Sequence, residues 1–132
     1  MKFVVNQPNL GLFAFRVFVG SAMAFSHGLG KIPPPEQMIA GVTALGFPLP
    51  IFFCWCAAAS ELLGGIFIAL GLYTRYAAAF LMFTMGVAAF KVHAADPFAT
   101  KEMALLYFMA CILFILQGGG RFSLDHLIRK KP

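Results

Sequence analysis

Apolar positions along this chain run in long unbroken stretches and show no alternation. Four stand out: Leu10–Leu29, Ile51–Leu72, Tyr76–Ala95 and Met103–Gln117. A bilayer core of about 30 Å is crossed by about 20 helical residues, and the first three stretches reach that length. The fourth reaches it when drawn as 102–118, with Glu102 and Gly118–Gly120 at the interfaces. A β-barrel is excluded, because its strands alternate apolar and polar side chains. The pattern predicts an all-α integral membrane protein: one domain over residues 1–132, folded as an antiparallel four-helix bundle with spans of about 10–29, 51–72, 76–95 and 102–118.

The breaks between the stretches carry their own signals. Pro33-Pro34-Pro35 ends the first span, and Met38, Ile39, Val42 and Leu45 then recur at helical spacing. Glu36–Leu45 is therefore read as a short helix in the outer interface, closed by Gly46 and followed by Pro48 and Pro50. Gly118-Gly119-Gly120 stops the fourth span, and Ser123 is an N-cap for a basic tail within 121–132. Lys2 and the Ala22-Met23-Ala24 sequence resemble a secretory leader, but Arg16 interrupts the apolar run, which continues to Leu29. Leader regions are shorter and uncharged, so the first span is expected to be retained.

Orientation follows from the placement of positive residues. With both termini inside, Lys2, Arg75, Arg121, Arg129, Lys130 and Lys131 lie inside, against Lys31, Lys91 and Lys101 outside. The bias predicts an N-in, C-in protein. Small residues at four-residue spacing mark faces for close helix contact: Gly20, Ala24 and Gly28 on the first span, Ala57 and Gly65 flanking Glu61 on the second.

Composition narrows the function. Of 132 residues, 61% are hydrophobic and 11% charged, with 16 Phe and 7 Met. Soluble domains carry about 45–50% apolar and about 25% charged residues, so a soluble enzyme is excluded. The mean hydropathy of +0.84 also excludes a disordered chain. The net charge of +5 is scattered and forms no basic patch with aromatic platforms, which argues against a nucleic-acid partner.

Charges inside an apolar span are expensive and are usually paired or functional. Glu61 lies near the centre of its stretch, about 16 Å deep, and Arg16 starts about 9 Å from the inner edge. A buried Arg16–Glu61 ion pair is the expectation. His27 lies seventeen residues after Leu10 and His93 seventeen after Tyr76, which puts both imidazoles at one depth near the outer edge. Glu102 begins the fourth span there, with Lys31 one turn beyond His27. At 100° per residue, Arg16, Gly20, Met23, His27 and Lys31 share one face. These positions predict an outward-facing polar pocket formed by Arg16, His27, Lys31, Glu61, His93 and Glu102, with Phe and Met walls. His27, His93 and Glu102 also make a two-histidine, one-carboxylate set, a minor metal alternative without sequence-local spacing to support it. Asp96 and Lys101 read as solvated. Of Cys54, Cys56 and Cys111, Cys54 shares an approximate face with Glu61, and no C-x-x-C redox motif is present.

The ordered motifs resemble a known family. They are Arg16, then His27-Gly28-Leu29-Gly30-Lys31, Leu45-Gly46-Phe47-Pro48, Glu61-Leu62-Leu63-Gly64-Gly65, Gly71-Leu72-Tyr73-Thr74-Arg75, His93, Glu102 and Gly119-Gly120-Arg121-Phe122-Ser123-Leu124-Asp125. Together they resemble the DoxX family of small four-helix bacterial inner-membrane proteins, over nearly the whole chain. The family's usual closing Gly-Pro-Gly-Arg is Gly118-Gly119-Gly120-Arg121 here, a change confined to the turn. The resemblance implies a multi-pass inner-membrane location and an association with membrane redox chemistry. It assigns no catalytic residue.

The leading expectation is a redox-linked protein that binds a quinone or similar aromatic molecule in the pocket. Aromatic walls with a few directed polar groups suit such a ring. Histidine exchanges protons near neutral pH, and Arg16 or Lys31 would stabilise an anionic form of the ligand. No flavin, haem or iron–sulfur motif is present, so electrons would come from elsewhere; if the protein is an enzyme, it acts as an oxidoreductase subunit using quinone. Two alternatives stand beside this: a non-catalytic anchor or assembly subunit for a soluble oxidoreductase, and a small-molecule or proton carrier acting as a homo-oligomer. Membrane lipids are partners in every case.

Overall fold

Proline, glycine and short polar side chains set where each helix starts and stops. The computed structural model describes residues 7–130. Helix α1 starts at Pro8, runs to Ala22, and continues through a wide π-helical turn, Met23–Gly28, and a tight 3-10 turn, Leu29–Lys31. The proline run then breaks the rod, and Pro35 caps the short helix α2, Glu36–Ala44. Helix α3, Pro50–Leu70, also begins on proline, whose missing N–H costs nothing at a first helical position. Helix α4, Thr74–Val87, is extended by a π-helical turn, Ala88–Val92. Helix α5 spans Phe98–Gln117 and α6 spans Leu124–Arg129.

Every described element is helical, and the rods Pro8–Lys31, Pro50–Leu70, Thr74–Val92 and Phe98–Gln117 are long and apolar enough to cross a bilayer. Helix α5 starts five residues before Met103, because Pro97 opens a helix whose first turns carry Thr100, Lys101 and Glu102. Lys2 and Lys131, two of the positive residues used for orientation, lie outside the described residues.

Turn chemistry joins the rods. Gly71 ends α3 with φ +70°, where its N–H donates to the Ile68 carbonyl and the Leu72 N–H to the Phe67 carbonyl. This is a Schellman closure, which glycine accepts without a Cβ penalty. The next helix, α4, is capped from a distance. Asp125 Oδ1 accepts from the Tyr73 N–H at 2.7 Å, while Oδ2 accepts from the Thr74 N–H at 2.9 Å and the Thr74 hydroxyl at 2.8 Å. Ser123 caps α6 as expected, accepting from the His126 N–H.

Helix α1 packs on α3, α3 on α4 and α4 on α5, around a core that includes Val19, Met23, Ile68, Leu81, Met85 and Phe114. The α1–α3 contact is backbone on backbone. A Cβ at Gly20 would strike Gly65 and Ala69, and one at Gly28 would strike Leu62. The small-residue faces expected from sequence therefore meet. Their register matters more than their existence, because it fixes the heights of the polar residues. Gly20 lies level with the last two turns of α3, so Arg16 lies at the α3 C-terminus and His27 near Leu63. On the other flank, Ser60 and Thr84 hydroxyls bond at 2.7 Å, which places His93 near the start of α3. His27 and His93 are thus offset along the bundle by roughly 18 Å at 1.5 Å per residue.

Candidate functional site

Glu61 is midway along α3 and 1% exposed. A carboxylate there needs a partner, since an unpaired buried charge is strongly unfavourable. The partner is Lys31. Its Nζ donates to both carboxylate oxygens at 2.7 Å. The contact depends on Gly28, whose missing side chain lets α1 approach α3 beside Glu61, and on the turns that end α1. A lysine ammonium has three N–H donors, and two are used here. The third remains for another acceptor.

The pair opens onto a cavity of about 340 Å³ enclosed by α2, α3 and α4. Phe47, Phe53, Phe80 and Phe83 supply aromatic walls, and Met38, Gly41 and Val42 of α2 cover it. Ser60, Thr84 and Cys56 add smaller polar groups, and His93 lies at its far end, bonded through Nδ1 to Asp96 at 2.7 Å. Asp96, expected to be only solvated, is therefore the orienting partner of His93. Among the three cysteines, all free, Cys56 faces the cavity; Cys54 and Cys111 are buried in packing.

Several sequence expectations change. The Arg16–Glu61 pair does not form. Arg16 is fully buried at the end of α3, where it donates to the Ile68 carbonyl at 2.7 Å, to the Ala69 carbonyl and to the Phe122 carbonyl at 2.7 Å. The Ile68 and Ala69 carbonyls lie at the negative dipole end of α3 and the Phe122 carbonyl adds a third acceptor, so the guanidinium is held without a hydrogen bond to a carboxylate. The pairing fails because α1 is shifted along α3, which leaves Arg16 about 15 Å below Glu61. His27 does not reach the cavity: the π-helical turn breaks the 100° register, and its ring packs edge-on against Tyr107 of α5 at 5.5 Å. Glu102 is exposed at the start of the second turn of α5. Of the six expected pocket residues, the structure brings Lys31, Glu61 and His93 to one cavity and leaves Arg16, His27 and Glu102 outside it. His27, His93 and Glu102 form no common cluster, and no group of metal-ligating side chains is found among the described residues.

The arrangement found is a half-buried lysine paired with a buried carboxylate under a small helix, in a bundle with four transmembrane-length rods. The sequence pattern that defines DoxX matches residues 11–94, which contain every residue of this cavity. The chain belongs to the DoxX family. It is a multi-pass membrane protein. It is 35% identical to an uncharacterized protein of Haemophilus influenzae, over 89% of this chain and 91% of that one. It is 31% identical to a Bacillus subtilis protein named putative oxidoreductase CatD, over 92% of this chain and 89% of that one. A second uncharacterized H. influenzae protein is 32% identical over 56% of this chain and 52% of its own length. No solved structure matches the sequence.

Proposed function

We propose that this DoxX protein binds a quinone or a similar small aromatic molecule in the cavity beneath α2, as a redox-linked component of the bacterial inner membrane. The observation that carries the reading is the free donor of Lys31, held by buried Glu61 at the base of a phenylalanine-walled cavity. About 340 Å³ lies within the usual range of about 300–1,000 Å³ for small-molecule sites. A ring slots between Phe53, Phe80 and Phe83, and one ring oxygen accepts from Lys31 Nζ. Ser60 and Thr84 offer hydroxyls to polar substituents. His93, bonded through Nδ1 to Asp96, lines the same cavity and leaves its Nε2 for the ligand. In this reading both termini are cytoplasmic and α2 lies in the outer interface, so ligand enters from the outer leaflet. The name of the B. subtilis relative agrees with redox work.

The test is binding of a quinone analogue to the protein in lipid nanodiscs. Lys31→Met should weaken binding by about tenfold or more, the loss expected for one charge-assisted hydrogen bond. His27→Ala should leave it unchanged. Equal binding by the parent and Lys31→Met, or none by the parent, would overturn the proposal.

A further inference from the structure

A second cavity, of about 420 Å³, lies at the opposite end of the bundle, where α4 begins and α5 ends. Its chemistry differs from the first. Arg75, Arg121 and Arg129 line it together with His126, and Asp125 is the one carboxylate among its described lining residues. That carboxylate is already engaged, because both its oxygens accept from Tyr73 and Thr74 at the head of α4. Arg75 spends one bond on the Leu116 carbonyl at 3.3 Å and lies over Gly118. No arginine–carboxylate ion pair occurs among the described residues, whose ion pairs are Lys31–Glu61 and His93–Asp96. Three arginines thus line one concave space, and among the described residues that line it no carboxylate is left free to neutralise them.

Guanidinium forks match the oxygens of phosphate in geometry as well as charge. The location adds a second constraint. The cavity sits at the ends of two membrane-length rods, with Tyr73 and Tyr76 exposed at its edge, the position of aromatic side chains at a lipid head-group layer. Basic pockets at such ends suit anionic head groups.

We propose that this cavity is a phosphate-recognising site, filled by the head group of an anionic phospholipid or by a soluble phosphate compound. Arg121 and Arg129 grip the oxygens from the tail side and Arg75 from the α4 side. The Asp125 contacts fix the tail so that the three converge. Position favours the lipid. The site lies apart from the cavity under α2 and its ligand is of another class, so neither proposal depends on the other.

The experiment uses the full chain in nanodiscs of phosphatidylcholine with and without phosphatidylglycerol, and counts retained anionic lipids by native mass spectrometry. A second arm titrates inorganic phosphate into the phosphatidylcholine sample, followed by phosphorus NMR. The parent should retain anionic lipid. Arg121→Gln with Arg129→Gln should reduce that retention about tenfold or more, as loss of charge-assisted bonds requires. Lys91→Gln with Lys101→Gln removes the same charge at the other end and should change nothing. Phosphate binding with this variant dependence, in the absence of lipid retention, assigns the site to a soluble phosphate compound. Equal behaviour of the parent and the arginine variant in both arms, or equal loss in the arginine and lysine variants, would overturn the site. Because all four substituted side chains belong to residues with exposed or half-exposed surfaces, thermal melting should show every variant folded.

Discussion

Lys31 and Arg16 show two ways a membrane protein accommodates a cation within its bundle, one half-buried and one fully buried. Arg16 is matched by carbonyls at the end of α3 and by the Phe122 carbonyl, whereas Lys31 is matched by a carboxylate and keeps one donor unspent. The distinction is measurable. Removing one partner of a buried pair strands the other, which costs about 3–5 kcal/mol. Lys31→Met should therefore destabilise more than Lys31→Met combined with Glu61→Leu, in detergent melts of the single and double variants. The cycle between Arg16→Met and Glu61→Leu should be additive within about 0.5 kcal/mol, as for separated sites. A strong Arg16–Glu61 coupling with an additive Lys31–Glu61 pair would reverse the assignment. Sequence alone identified Glu61 as needing a partner, since a carboxylate midway along an apolar run is costly. It named the wrong cation because partner choice depends on how far one helix slides along another, which no local pattern records.

At the scale of elements, caps and breakers were legible and register was not. Pro35, Pro50 and Ser123 act where their types suggest, whereas Gly71, drawn inside the second span, closes α3. The small faces of α1 and α3 also met as expected. The outer histidines did not, for two reasons: α1 and α4 begin at different heights, and π-helical turns at Met23–Gly28 and Ala88–Val92 rotate the residues after them. Such turns occur often at functional sites, and here each precedes a residue of the cavity, Lys31 or His93. The α1–α3 contact makes a direct prediction. Gly28→Leu places a side chain against the Leu62 backbone, an overpacking that should cost about 1–3 kcal/mol and weaken ligand binding along with it. Unchanged melting would mean the helices are not in contact there. The tail offers a separate test. Asp125→Ala removes the distant cap of α4, worth about 1–2 kcal/mol. Amide exchange should then quicken at Tyr73 and Thr74 and across α6, while the α2 cavity keeps its ligand. Slow exchange at all three would show that Asp125 does not hold the tail.

For the molecule as a whole, the two cavities lie at opposite ends, one aromatic with a lysine–glutamate ion pair and one lined with arginines. If both termini are cytoplasmic, the arginine cavity faces the inner leaflet and the cavity under α2 the outer one. A reporter fused after Pro132 should then be active only inside the cell; activity only outside would invert the assignment of both sites. The central claim is that an aromatic ligand sits beneath α2 against Lys31. It is tested most directly by photo-crosslinking a photoreactive quinone analogue to the protein in nanodiscs and mapping the labelled residues. Labels should fall on Phe53, Phe80, Phe83 and Val42, and should be lost when excess unlabelled quinone is added. Labels confined to the His27–Tyr107 face, or insensitive to that competition, would contradict the claim.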